Sequence, residues 1–200
     1  DELVFDGGSF GLNDDEALIF QAPFFEEFTL CISREGGSLK RGKEIPASAR
    51  NKDMHLEHMY KALCLGLKDY VSKNNFHGVV LGLSGGIDSA MAATIAADAL
   101  GPDKVHAVML PTKYTSDESL DDAKALAINL GIHYDIVSIE QCVKGFGIML
   151  SPFTNPNKSP VTFENIQSRT RGVFLMGLSN ATGKMMLTAG NKSEMATGYA

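Results

Sequence analysis

The strongest chemical signal in the sequence is a short segment rich in glycine and serine. Its residues are Ser84, Gly85, Gly86, Ile87, Asp88 and Ser89. Two adjacent glycines leave their backbone amides open to an anion, because neither residue has a Cβ atom in the way. The serine hydroxyls can donate further hydrogen bonds, and the Asp88 carboxylate is a hard oxygen ligand that suits a Mg²⁺ ion carried by phosphates. The segment predicts a polyphosphate site, and the alternative is a tight turn that uses glycine only for its geometry.

The elements on either side of this segment place it where phosphates bind. Residues 79–83 are a short apolar run that predicts a buried strand, and residues 90–100 predict an alanine-rich helix that stops at Gly101. The N-terminus of such a helix carries about half a positive charge and several unpaired N–H donors. The segment is not a Walker-type phosphate loop, because no Gly-Lys-Ser or Gly-Lys-Thr sequence follows the glycines.

Strands alternate with helices along most of the chain. Further strands are predicted at 104–110, 133–139 and 185–189, and further helices at 53–73, 115–131 and 162–180. Thr115 and Thr162 are the predicted N-caps of the last two of these helices. This alternation is typical of an α/β fold with a doubly wound parallel sheet and helices on both faces. Ligands bind such a sheet beyond the carboxyl ends of its strands, which is where residues 84–89 lie.

The first 32 residues differ in composition from the rest of the chain. Residues 1–30 hold eight acidic side chains and no Lys or Arg, so they contribute −8 to a net charge of −6 and leave +2 for residues 31–200. Short β segments are predicted at 3–12, 18–20 and 28–32. Residues 33–50 are polar and rich in glycine, which predicts a linker. We therefore predict a β-rich piece at 1–32, this linker, and a main domain at 51–200.

Charge, hydropathy and cysteine spacing exclude several classes of protein. A surplus of +2 over residues 31–200 provides no basic surface, so no nucleic-acid partner is expected. The sequence has no run of about 18 apolar residues, so no membrane span is expected. Cys31, Cys64 and Cys142 lie far apart, which argues against a zinc site and against a disulfide scaffold. Because the opening segment also lacks the basic stretch of a signal peptide, we expect a cytoplasmic protein.

Four stretches of the sequence together resemble one enzyme family. Residues 84–89 closely resemble the PP-loop of the N-type ATP pyrophosphatases. Residues 164–171 and 190–200 resemble the two signature stretches of NAD⁺ synthetases, and residues 1–9 resemble the late part of the nitrilase-like glutaminase domain of glutamine-dependent members. The resemblance implies that 1–32 is the C-terminal remnant of such a glutaminase domain. The main domain would then have the adenine nucleotide alpha hydrolase-like fold and be truncated at its C-terminus.

This resemblance implies a reaction. The protein would use ATP to convert deamido-NAD⁺ to NAD⁺ through an adenylated nicotinate carboxylate, which makes it a ligase that forms a C–N bond. The ammonia would come from glutamine, hydrolysed at a glutaminase site outside this chain. No residue of the main domain would form a covalent intermediate, so no catalytic nucleophile is expected in it. The protein would associate at least as a dimer.

The resemblance also implies which residues hold ATP. The loop at 84–89 would bind its phosphates, and residues 110–119 would receive the adenine. Thr188 would contact ATP as well, although this chain has Ala189 where the family usually has a threonine.

Other residues would bind the second substrate. Asn165 and Arg169 lie one helical turn apart, so they share one face of the predicted helix, whereas Ile166 and Val173 are expected to point elsewhere. The resemblance sets this polar face, together with Glu194, against deamido-NAD⁺. A bidentate guanidinium suits a phosphate or a carboxylate.

Asp88 and Glu194 would hold Mg²⁺, and this pair bears on the alternatives. A non-catalytic adenine-nucleotide-binding module is disfavoured, because a protein that only binds the nucleotide has no use for the metal. Another PP-loop enzyme, such as GMP synthetase or tRNA lysidine synthetase, stays open, although the tRNA substrate requires a basic surface. We interpret Arg171 as part of an exposed polar face and all five histidines as structural or solvated.

Overall fold

A computed structural model describes residues 4–12, 17–29, 52–153 and 160–197 of the chain. These residues fall into two compact units, which divide the sequence between Gly66 and Leu67. The predicted linker at 33–50 lies outside the described residues, so the predicted domain boundaries stay predictions. Among the described residues, no helix combines the length and the hydrophobicity that crossing a bilayer requires.

The first unit contains a small antiparallel hairpin and most of a long helix. Strand β1 (Phe10–Leu12) pairs with β2 (Leu18–Gln21), and an isolated bridge joins Gly7 to Phe24. Helix α1 (Lys52–Lys73) begins in this unit and ends in the second. The predicted strand at 28–32 is absent at the described residues 28 and 29, and the remainder of that segment lies outside the described residues.

The second unit is built on a four-stranded parallel sheet. Its strands are β3 (Val79–Gly82), β4 (Val105–Met109), β5 (His133–Ile136) and β6 (Met185–Leu187), in the order β5-β4-β3-β6. Its helices are α2 (Ile87–Leu100), α3 (Asp117–Leu130), α4 (Glu140–Leu150), α5 (Pro160–Thr182) and α6 (Lys192–Thr197). Because β3 has β4 on one side and β6 on the other, the chain winds outward from β3 in both directions, as the alternation predicted.

Both faces of the sheet are buried under helices. On one face, the side chains of Leu81 and Ala107 pack with alanines of α2 and α3, and these small residues allow the helices to approach the strands closely. On the other face, Val80 and Val108 pack with Leu175 of α5. Valine, leucine and alanine therefore fill both sides of the central strands, which is the arrangement expected of a parallel sheet.

Three helices differ from the sequence-based expectation. Ser116, rather than Thr115, caps α3, because the Ser116 hydroxyl accepts a hydrogen bond from the Ser119 amide at 3.2 Å whereas Thr115 accepts one from the Thr112 amide. Thr162 is not a cap, since α5 already begins at Pro160, a residue whose fixed φ suits the first helical position.

Helix α4 was not predicted. Its two glycines, at 145 and 147, lower the intrinsic helix propensity of the segment. The helix forms nonetheless because Val143 packs against the second core. Tertiary packing therefore outweighs local propensity in this segment.

Gly78 offers a direct test of the sheet geometry. It precedes β3 with a φ of 148°, and a Cβ atom there would lie 2.1 Å from the carbonyl oxygen of Lys104. We expect Gly78→Ala to destabilise the protein by about 2–4 kcal/mol, because backbone must move to relieve the clash. The matched control is Gly131→Ala, which has a left-handed φ of 67° but no heavy atom closer than 4.0 Å to the new Cβ, and should cost about 1 kcal/mol. Thermal unfolding of the two variants in the intact protein measures the difference, and equal losses would contradict the predicted clash.

Candidate functional site

The predicted phosphate loop lies between the carboxyl end of β3 and the first turn of α2. Gly85 has a φ of 82°, and a Cβ atom at this position would lie 2.6 Å from the carbonyl oxygen of Ser119. Only glycine fits this combination of backbone conformation and close approach. Gly86 is the N-cap of α2, and none of the described side chains caps it. The amides of the first helical turn are therefore available to an anion.

Two serines brace the loop from within. The hydroxyl oxygens of Ser84 and Ser89 lie 3.1 Å apart, and the Ser89 hydroxyl donates to the carbonyl oxygen of Gly86 at 2.9 Å. Ser89 is only 6% exposed, whereas Ser84 is exposed. Ser89 therefore shapes the loop, and Ser84 is the serine that can reach a ligand.

A cavity of about 490 Å³ opens beside the loop, beyond the carboxyl ends of β3 and β4. Its walls include Ser84, Leu110, Tyr114, Ser116, Ser119 and Arg171. The predicted adenine segment, 110–119, thus contributes to the same cavity as the loop. The buried Thr112 ties that segment to α5, because its hydroxyl donates to Gln167 Oε1 at 3.0 Å.

Arg171 does not lie on an exposed polar face, so the interpretation made from the sequence is wrong for this residue. Its side chain is half-buried and lines the cavity, and its Nε donates to the carbonyl oxygen of Leu110 at 3.1 Å. The sequence could not distinguish Arg169 from Arg171, because the two side chains have the same chemistry. They differ only in the side of α5 from which they project, and the sequence does not say which side meets the sheet.

Asn165 and Arg169 lie together at a second, larger cavity. This cavity of about 840 Å³ lies between α4 and α5 and is mostly apolar. Ile166 and Val173 line it as well, so the expectation that they point elsewhere is wrong. Positions 165, 169 and 173 follow one another at intervals of four and share one helical face, and α4 supplies the opposite wall.

Asp88 and Glu194 are linked through Asn191, a residue that received no role in the sequence analysis. The Asn191 amide nitrogen Nδ2 donates to Asp88 Oδ2 at 3.3 Å. Asn191 Oδ1 accepts from the Glu194 backbone amide at 3.0 Å, and Glu194 Oε2 accepts from the Asn191 backbone amide at 3.0 Å. This reciprocal pair is a capping box at the start of α6. The Asn-x-x-Glu spacing was the signal that could have revealed it.

The remaining predicted ligand, Thr188, is exposed and directly follows β6, the strand beside β3. The structure therefore sets the loop with its Asp88, Thr188 and Glu194 at the carboxyl ends of the strands. Asn165 and Arg169 lie in the other cavity.

Comparison with known proteins identifies the family. A family model described as NAD synthase matches residues 59–200. The chain belongs to the NAD synthase family. The match confirms the resemblance that the loop and the two signature stretches carried.

Individual relatives extend the match beyond this NAD synthase domain. The chain is 50% identical to a glutamine-dependent NAD(+) synthetase of Rhodobacter capsulatus and 46% identical to one of Acinetobacter baylyi, in each case over 100% of the chain. It covers 36% of either relative, so it spans about a third of the length of the curated relatives it matches.

Solved structures agree with this family. The structure of a glutamine-dependent NAD⁺ synthetase from Acinetobacter baumannii in complex with ADP superposes with a TM-score of 0.87 at 40% identity, covering 100% of this chain and 37% of that one. An NH3-dependent NAD synthetase from Campylobacter jejuni gives a TM-score of 0.65 at 31% identity over 72% of this chain and 60% of that one.

The capping box makes a local prediction about α6. Asn191→Ala removes the side-chain acceptor of the Glu194 amide, so the first turn should lose about 1 kcal/mol. Hydrogen exchange in the intact protein should then be about fivefold faster at the Glu194 amide, which loses its acceptor. Asn180→Ala, at an exposed position on α5, is the control and should leave this amide unchanged. Equal exchange in both variants would show that the box does not hold the helix.

Proposed function

We propose that this chain is the ATP-using part of a glutamine-dependent NAD⁺ synthetase. The observation that carries the proposal is the loop at 84–89, which joins β3 to the uncapped N-terminus of α2 and contributes Ser84 to the wall of a cavity of nucleotide size. The family match and the ADP complex of the Acinetobacter baumannii neighbour support ATP as a ligand of this site. The names of the relatives, a glutamine-dependent NAD(+) synthetase and an NH3-dependent NAD synthetase, support NAD⁺ as the product and glutamine or ammonia as the nitrogen source, and deamido-NAD⁺ is the acceptor in this proposal.

The loop binds the phosphates that become pyrophosphate. The amide of Gly85 and the amides in the first turn of α2 face the charge that grows on the departing diphosphate, while the Gly86 amide donates to Ser84 Oγ at 3.3 Å and supports the loop. Such fixed donors act without reorganising when the reaction occurs, and each is typically worth about 2.7–4 kcal/mol. The Ser84–Ser89 brace holds the donors in position, and Arg171 adds a permanent positive charge on the opposite wall of the cavity.

Asp88 fits the role of a magnesium ligand. Its carboxylate is exposed beside the loop, and Mg²⁺ is commonly held by one or two carboxylates together with substrate phosphates. Glu194 is the second candidate, joined to Asp88 through Asn191. When bound, the metal ion supplies charge neutralisation at the phosphates. Asn191 orients both carboxylates toward the same edge of the sheet.

Asn165 and Arg169 bind the dinucleotide acceptor in this proposal. The larger cavity offers an apolar surface for a ring and one guanidinium for a phosphate or carboxylate.

The nicotinate carboxylate attacks the α-phosphorus of ATP, pyrophosphate leaves, and ammonia then displaces AMP from the mixed anhydride. Ammonia arises from glutamine at a site outside this chain. The protein associates at least as a dimer in this proposal.

The experiment that tests the reaction is pyrophosphate release by the intact protein. Release should require deamido-NAD⁺ and a nitrogen source. Nicotinate mononucleotide is a necessary comparison, because a neighbour described as an NMN synthetase from Francisella tularensis has a TM-score of 0.65 at 28% identity. Xanthosine monophosphate tests the GMP synthetase alternative. Faster release with either compound than with deamido-NAD⁺ would overturn the proposed substrate, and nucleotide binding with no release would favour a non-catalytic module.

The magnesium role of Asp88 can be tested by removing its charge alone. Asp88→Asn should lower kcat for pyrophosphate release at least about a hundredfold, which corresponds to about 2.7 kcal/mol. Asp121→Asn removes the same charge from an exposed position on α3 and should leave kcat unchanged. Circular dichroism checks that both variants keep the fold. Normal turnover of Asp88→Asn would count against the assignment.

The two arginines of α5 should separate the two substrates. Arg171→Gln should raise the KM for ATP by about 10–100-fold with little change in the KM for the acceptor, because a charge-assisted hydrogen bond is worth about 1.5–3 kcal/mol. Arg169→Gln should do the reverse. Each variant is the control for the other, and steady-state kinetics with each substrate varied in turn gives the answer. If the two variants affect the same KM, the division into two subsites is wrong.

A further inference from the structure

Two histidines and an aspartate meet at the end of the sheet opposite the phosphate loop. His106 in β4 is paired in register with His133, the first residue of β5. Asp135 follows two residues after His133, so its side chain lies on the same face of the strand. His106 Nε2 lies 2.9 Å and His133 Nε2 lies 3.1 Å from Asp135 Oδ2. From the sequence alone, both histidines were interpreted as structural or solvated.

We propose that His106, His133 and Asp135 bind a divalent transition-metal ion of the zinc class. One ligand atom from each residue lies within 4.8 Å of the other two. Zinc–nitrogen bonds of about 2.0–2.1 Å and zinc–oxygen bonds of about 2.0–2.2 Å set tetrahedral ligand atoms roughly 3.3 Å apart. The two nitrogen–oxygen distances are a few tenths of an ångström shorter, so a metal ion replaces the shared protons with small side-chain movements.

The donor set and its surroundings favour such an ion. Two imidazoles and one carboxylate suit zinc, nickel or cobalt better than magnesium or calcium, which prefer oxygen ligands alone. A cavity over the cluster, lined by Asp103 and Lys184 among others, leaves room for a water molecule as a fourth ligand. The formal charges of these two side chains cancel, so the carboxylate of Asp135 sets the net charge of the site.

The protonation states also suit metal binding. His106 is 8% exposed, and burial lowers its pKa despite the hydrogen bond to Asp135, so the neutral imidazole is favoured. The hydrogen bond from His106 lowers the pKa of Asp135, which keeps the carboxylate ionised. Neutral imidazole and ionised carboxylate are the forms that coordinate a metal ion.

The ion would join the edge strand to the interior of the sheet. Strand β5 has β4 as its single neighbour in the described sheet, and the proposed ligands come from both strands. Metal binding to the folded state adds stability by mass action. Such an ion would fasten β5 at its amino end, two residues along β4 from the first residue of that strand to line the proposed nucleotide cavity.

Cobalt is the probe for the test, because tetrahedral Co²⁺ absorbs visible light. The metal-free intact protein, without ATP, is titrated with Co²⁺ by equilibrium dialysis and visible spectroscopy. The variants are His133→Gln, at an exposed histidine, and Asp135→Asn, which keeps a side-chain acceptor for His106. His77→Gln, at an exposed histidine outside the cluster, is the control.

We expect the wild type and His77→Gln to bind one more Co²⁺ per chain than the two cluster variants. The visible band should disappear on addition of Zn²⁺, and Zn²⁺ should raise the Tm of the wild type and of His77→Gln alone. His133→Gln should weaken Co²⁺ binding at least about tenfold. Unchanged Co²⁺ binding in both cluster variants, or no visible band in the wild type, would overturn the proposal and leave a hydrogen-bonded triad in its place. Unfolding of the metal-free variants checks that the loss is not one of fold.

Discussion

The contact between Gly85 and the backbone of Ser119 governs the geometry of the proposed nucleotide site. A Cβ atom at position 85 would lie 2.6 Å from the Ser119 carbonyl oxygen, so the loop after β3 passes against the first turn of α3 with no space for a side chain. This contact brings the N-terminus of α2 close to the first turn of α3, and Ser116 and Ser119 at the start of α3 line the cavity. The positive partial charge of the two helix N-termini therefore lies near the cavity, where it would stabilise an anionic ligand.

Helix α5 divides the active region into two cavities. Arg171 faces the cavity beside the phosphate loop, while Arg169 faces the larger apolar cavity against α4. Two positions along a helix differ by about 200° in direction, so neighbouring arginines with the same chemistry serve opposite sides. The helix thereby separates the proposed nucleotide subsite from the proposed acceptor subsite while holding both at a fixed distance.

The two ends of the parallel sheet carry different clusters of polar residues. The carboxyl ends of β3, β4 and β6 carry the loop, the cavity and the Asp88–Asn191–Glu194 bridge. The amino ends of β4 and β5 carry the two histidines beside Asp135. The register between β4 and β5 sets His106 opposite His133. The same parallel arrangement brings the carboxyl ends of the strands together at the opposite end of the sheet, so one backbone arrangement creates both clusters.

The sequence by itself determined the class of fold, the phosphate loop and the family. These follow from local information, because strand and helix periodicity and the glycine pair between β3 and α2 are properties of short stretches. Only the tertiary structure decided the role of Arg171 and the His106–His133–Asp135 cluster. It also decided that Ser116 caps α3 and that residues 140–150 form α4. Each of these depends on contacts between residues from distant parts of the chain and on packing that outweighs local propensity. A short stretch of sequence contains no information about such contacts.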